Sequence, residues 1–116
     1  MLIDFQAIPE TVIPHMRGGE KEVAARMYTD DLVKIMRGKL IPGATIGLHT
    51  HETNSETIYI LEGTGKVLYD GVYEDVSAGS CHYCPKGHSH SLINDSEADL
   101  YFFAVIPEHE TGFGNK

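Results

Sequence analysis

Basic residues are scarce in this chain, cysteine is scarcer, and no apolar run is long. Nine Lys and Arg stand against 17 Asp and Glu, for a formal net charge of −8. Such a surface repels phosphate backbones and anionic lipid, and no basic DNA-binding segment is present, so nucleic acid and membrane surfaces are not expected as partners. No segment reaches the ~20 apolar residues that a membrane span needs. The start, MLIDFQAIPE, has neither the basic flank nor the apolar stretch of a secretory signal. The expected location is the cytoplasm. The two cysteines, Cys81 and Cys84, make no disulfide framework. They fall in GSCHYCPKG, which reads as a short strand ending at a proline. Positions three apart on a strand face opposite sides, which is poor geometry for a bond between them. With no second pair to complete a zinc knuckle, both read as structural thiols.

What is present is a chain of 116 residues with 41% hydrophobic and 22% charged residues, enough for one globular domain and one core. Short apolar runs alternate with turn residues. Candidate strands cover residues 24–28, 32–37, 45–51, 56–61, 65–69, 72–76, 80–84, 89–94 and 100–106. Asp70–Gly71, between KVLY and VYEDV, is a two-residue hairpin signal. Many short strands at regular spacing predict an all-β sandwich or barrel. The one possible helix, a weak one, lies around residues 19–26. LYFFAVI near the C-terminus is apolar on both faces, unlike a strand with one solvated side. MLIDFQAI is a further apolar strand without an obvious partner. A homodimer using these edges is expected; the alternative is that the N-terminal segment packs on its own barrel.

GLHTHETNSE concentrates His49, His51 and Glu56 within eight residues. On a strand, residues i and i+2 share a face with Cα atoms about 6.5–7 Å apart, and two imidazoles at that separation can converge on one ion at ~2.1 Å. Glu56 opens the next candidate strand after the turn ETNS and, if the strands pair, returns its carboxylate to the same face. Two imidazoles and a carboxylate suit a divalent transition metal. His90, opening an apolar strand after the turn at Pro85 and Gly87, can supply a third nitrogen. Three nitrogens and one oxygen leave two positions of an octahedral ion open, the mark of a catalytic rather than a structural site. Glu52, Glu62 and Glu97 fit no such face and read as solvated.

Here the sequence resembles the cupin superfamily, in its small single-domain microbial form. GATIGLHTHETNSETIYILEG matches the first cupin motif, from Gly43 through His49, His51 and Glu56 to Gly63. GSCHYCPKGHSHSLIN matches the second, from Gly79 through Pro85, Gly87 and His90 to Asn94. The resemblance implies a double-stranded β-helix, the jelly-roll-like barrel of cupins, in which residues 43–94 hold both motifs, 1–30 an N-terminal arm and edge strands, and 95–116 the last core strand and a tail. Carried over residue by residue, it implies His49, His51, Glu56 and His90 as ligands of one divalent transition metal. Mn, Fe, Ni, Cu, Co and Zn are all compatible.

Fold does not determine function, and the family includes dioxygenases, isomerases, lyases, storage proteins and sensors. Ile58 and Ile60 share the Glu56 face and Leu92 the His90 face, with Phe102 or Phe103 as an aromatic floor, so a largely dry pocket is expected. Such a pocket suits a metal acting as Lewis acid on a small metabolite, or activating dioxygen. Tyr83 or His82, depending on register, can point inward as a proton donor or acceptor, and His88 lies at the mouth; Tyr83 and His88 are the candidate catalytic residues. Arg37 and Lys39 are expected to face solvent, leaving no phosphate clamp. The reading is a small metalloenzyme, with a non-catalytic metal-dependent binding or sensing protein as the alternative.

Overall fold

The computed structural model describes residues 1–110. Its regular structure, among the described residues, is β1 (Thr11–Pro14), β2 (Glu22–Thr29), β3 (Val33–Leu40), β4 (His49–Thr50), β5 (Glu56–Glu62), β6 (Thr64–Tyr69), β7 (Val72–Ser77), β8 (Cys81–Cys84), β9 (Ser89–Ile93) and β10 (Leu100–Pro107), with 3-10 turns at Phe5–Ala7 and Met16–Gly18. Two antiparallel sheets, ordered β1-β2-β3-β10-β5-β8 and β4-β9-β6-β7, face each other as a barrel. No helix among the described residues is long and apolar enough to cross a membrane.

Alternation decides which side chains fill the barrel. On β5, Glu56, Ile58 and Ile60 are buried while Tyr59 and Leu61 are exposed. On β10, Leu100, Phe102 and Ala104 are fully buried. Phe102 packs where β3 carries Gly38, because a side chain there would run into the aromatic ring. The hairpin of β6 and β7 turns at Asp70 and Gly71, with φ of 47° and 83°, the pair of positive φ angles that a two-residue turn matching strand twist requires.

Three expectations are corrected. Residues 19–26 hold no helix, since residues from Glu22 on form β2, paired with β3 and with β1. Its alternating Val23 and Ala25 complete the core, so tertiary pairing outweighs weak local preference. MLIDFQAI is not a strand: Phe5–Ala7 form a 3-10 turn capped by the Asp4 carboxylate, which accepts from the Gln6 N–H. The third concerns β10. Its outer residues Tyr101, Phe103 and Val105 are only partly buried, and Phe103 is met edge-on by Phe5, with ring centroids 5.5 Å apart. The chain's own N-terminal segment covers this part of the sheet, held by Arg26, whose guanidinium donates to the carbonyls of Phe5, Gln6 and Ile8. Of the expected strand over residues 45–51, only His49–Thr50 is regular; Thr45 makes an isolated bridge to Ile93.

Candidate metal centre

Four side chains from three strands and a turn meet inside the barrel. His49 on β4 pairs directly with His90 on β9. Glu56 opens β5, and His51 follows β4 with its backbone N–H donating to the His88 carbonyl. The His51 and His90 Nε2 atoms lie 2.9 Å apart, and those of His90 and His49 3.2 Å apart. Glu56 Oε1 lies 2.9 Å from His90 Nε2, 3.1 Å from His51 Nε2 and 3.9 Å from His49 Nε2. Among the described residues, this is a cluster that could hold a metal ion, as is a second one of His82, Cys84 and His90.

The outward-facing nitrogens are what make the donor set fit a cation. His49 Nδ1 lies 2.7 Å from the Gly47 carbonyl, His51 Nδ1 2.5 Å from Asn54 Oδ1, and His90 Nδ1 3.0 Å from His82 Nε2. The Gly47 carbonyl and Asn54 Oδ1 can only accept, so neutral His49 and His51 rings carry their proton on Nδ1 and turn an Nε2 lone pair toward the carboxylate; His90 does the same when His82 Nε2 accepts. Asn54 is itself held, because its amide donates to Glu108, as does the Thr53 hydroxyl.

Electrostatics single out the same cluster. Burial alone would raise the Glu56 carboxyl, but the three imidazoles against it, His49, His51 and His90, hold it well below the usual range. Burial disfavours charge on His51, yet its bonds to Glu56 and then Asn54 leave its value raised, while the positive charge of Arg17 works against it. His82 is pushed down to about 4, by burial first and then by the His90 charge, which suits a neutral acceptor. Burial, with the Glu56 and Asp70 charges adding, pushes the Cys84 thiol up to about 11.

A cavity of about 150 Å3 opens beside the cluster, lined by His49, His51 and Glu56 together with Met16, Met36 and Ile46, and by the charged Arg17, Lys34, Asp30 and Glu108. That is room for several water molecules or a compact metabolite. The expected lining of the pocket is therefore corrected. Ile58, Ile60, Leu92 and Phe102 are consumed in packing the two sheets together, and the open space lies nearer the mouth, where loops bring charge. Arg37 is exposed as expected, 5.7 Å from the centroid of the Tyr101 ring.

Arg17 escaped the sequence reading. It sits in the loop between β1 and β2, where His15, Arg17 and Lys21 all adopt left-handed backbone with φ of 51°, 56° and 55°, at a cost of roughly 1–2 kcal/mol each. Tight ties sustain that strain: Gly47 N–H donates to the Met16 carbonyl and Thr45 N–H to the Glu20 carbonyl. Gly19 and Gly47 approach so closely that a Cβ on either would strike backbone of the other segment. In the sequence, HMRGG signals only a turn.

The proposed proton-transfer residues do not join the cluster. The strand period turns Tyr83 outward, 57% exposed, and His82 inward at 7%. His88 is half-exposed, with Nδ1 2.5 Å from Asp70 Oδ2 and 3.2 Å from the Tyr69 hydroxyl. Cys81 is exposed and Cys84 buried, so the two thiols do face opposite sides.

These geometries have counterparts among known proteins. An oxalate-binding protein of Thermotoga maritima is 36% identical over 112 residues, covering 91% of this chain and 93% of its own. The crystal structure of a predicted oxalate decarboxylase from Thermotoga maritima superimposes with a TM-score of 0.87 at 34% identity, over 93% of this chain and 99% of that one. At 23% identity, the polyketide cyclase RemF of Streptomyces resistomycificus shares the fold, with a TM-score of 0.75 over 92% of this chain and 78% of that one. The family profile described as the Cupin domain matches residues 36–106, from the middle of β3 almost to the end of β10. With both sequence motifs and the His/Glu cluster inside that match, and a barrel around them, the chain belongs to the cupin family.

Proposed function

We propose that this protein binds a small dicarboxylate, of the size and charge of oxalate, on a divalent transition metal held by His49, His51, Glu56 and His90. One observation carries the reading: Arg17 lines the same small cavity as His49, His51 and Glu56 of the donor cluster. A metal with free positions takes one carboxylate as a hard oxygen ligand, and an arginine fork pairs the other. The name of the Thermotoga maritima relative supports the same ligand class.

Binding is favoured over turnover because the cavity's other carboxylates are already engaged. Asp30 accepts from the Leu32 and Val33 N–H groups and the Tyr28 hydroxyl, and these bonds hold it below its usual range. Glu108 accepts from Thr53 and Asn54. Neither is free as a general acid or base. A metalloenzyme remains the second reading, favoured by the Lewis acidity of an ion with open positions. Calorimetric titration of oxalate into manganese-loaded and metal-stripped protein tests the proposal. Saturable binding to the loaded form alone, with oxalate recovered intact, supports it; equal binding to the stripped form overturns it, and loss of oxalate transfers the case to the second reading.

The exposed apolar side chains Tyr59, Leu61 and Tyr83 on the outer face of β5 and β8 support a homodimer, which sedimentation tests. The unpaired thiols Cys81 and Cys84 suit a reducing cytoplasm, which cell fractionation tests.

A further inference from the structure

We propose that His82 is the positioning residue that sets the tautomer and aim of His90, an inference that rests on the metal-binding reading above. The three clustered imidazoles are not oriented alike. His49 and His51 point Nδ1 at oxygen atoms, a backbone carbonyl and an amide, on the turns that carry them. His90 alone points Nδ1 at another imidazole, that of His82 on β8, in the opposite sheet. For His90 Nε2 to offer a lone pair, its neutral ring must carry its proton on Nδ1, and the atom facing it must accept. His82 Nε2 can accept only while the His82 proton sits on Nδ1.

The surroundings hold His82 in that role. β8 pairs with β5 in a register that sets His82 opposite Ile58 and Cys84 opposite Glu56, so strand alternation turns His82 inward. The Tyr69 ring meets it edge-on, with centroids 5.5 Å apart. His82 makes no second hydrogen bond among the described residues, and it lines a surface groove with Tyr69, Glu74, Asp75 and Tyr83, between β7 and β8. With Nε2 accepting from His90, the His82 proton would sit on Nδ1, and the groove with its two acidic residues is where that donor would be met. His90 is thus steered from the side of the barrel away from the Arg17 cavity, through a contact no bound dicarboxylate touches.

The test is zinc affinity, measured by chelator competition, in the wild type and in His82→Leu, His82→Asn and His82→Gln. Removing a partner of this kind costs ~10–100-fold in metal affinity, so Leu and Asn, which present no acceptor within reach of His90, are expected to weaken zinc by that factor. Gln, whose Oε1 reaches further, is expected to recover part of it. The 15N shifts of His90 in the metal-free protein report a predominant Nδ1–H tautomer in the wild type and a mixture in the Leu and Asn variants. Cooperative melting of each metal-free variant separates steering from folding, and the Asn variant keeps a polar group there should Leu fail to fold. Wild-type affinity in the Leu or Asn variant, or no recovery with Gln, overturns the proposal. A second zinc equivalent lost in both His82→Leu and Cys84→Ser overturns it too, by making His82 a ligand in its own right. A wild type that binds no zinc sinks the underlying metal reading instead, so the two failures are distinguishable.

Discussion

Arg17→Met separates the two ligands that share the cavity, because it should affect them with opposite sign. The substitution keeps an unbranched side chain and removes the guanidinium. A hydrogen-bonded charge pair is worth ~1.5–3 kcal/mol when well formed; Arg17 is exposed, so solvent screening reduces its share to about 1 kcal/mol. At about 1.4 kcal/mol per tenfold, oxalate affinity should fall roughly fivefold. The metal should respond the other way. The Arg17 charge opposes protonation of His51, and the same field opposes a divalent cation, so the variant should retain metal as well as the wild type or better. Its oxalate binding should also depend less on salt, since a screened charge has been removed. Calorimetry of oxalate into metal-saturated protein, with elemental analysis of the same samples, gives both numbers. Oxalate affinity within twofold of wild type, or metal lost in parallel with oxalate, would refute the placement of Arg17 as the anion's partner.

His51→Ala should lower metal content sharply; full occupancy by elemental analysis would contradict the ligand assignment. Ligand imidazoles must be neutral, and His51 holds its proton more tightly than an ordinary imidazole, so metal retention should begin to fall at or above the ordinary value of ~6.5 as pH drops; undiminished retention in mild acid would point to other ligands. The Asp70 carboxyl is held low by the His88 hydrogen bond and then by the Ser89 N–H. A depressed carboxylate contributes stability that is present above its unfolded value of ~3.9 and lost as pH falls through the lower folded value. Asp70→Asn, which still suits the left-handed turn, should therefore melt below wild type near neutral pH and approach it in strong acid; a constant gap would mean the carboxylate charge contributes nothing. Gly38→Ala would press a methyl group into the buried Phe102 ring and should cost about 1–3 kcal/mol in urea unfolding.

The barrel and the donor set were legible because both are written in local spacing. His49 and His51 two apart, Glu56 at a strand start and His90 after a turn each obey strand period, and residues such as Ile58 and Ile60 announce which face is inward. The Asp70–Gly71 turn is chemistry of two adjacent residues. Less was legible wherever a residue's role depends on a distant neighbour. The start of β2 reads both as weak helix, around residues 19–26, and as strand, over 24–28, until β1 and β3 pair with it, and the apolar outer face of β10 leaves open whether a second subunit or, as Phe5 does, the chain's own N-terminal segment lies on it.

By itself, then, the sequence determined the all-β class, the inward faces and four side chains able to share a cation, since these follow from the two-residue period and from turn chemistry. Tertiary structure alone decided that His82 rather than Tyr83 stands against His90, because register on β8 sets which of two neighbours turns inward. It also decided that Arg17 lines the cavity, through a strained loop held by the close approach of Gly19 and Gly47 and by backbone hydrogen bonds to residues 45–47. Contacts of that kind join residues far apart in the chain, and no local pattern encodes them.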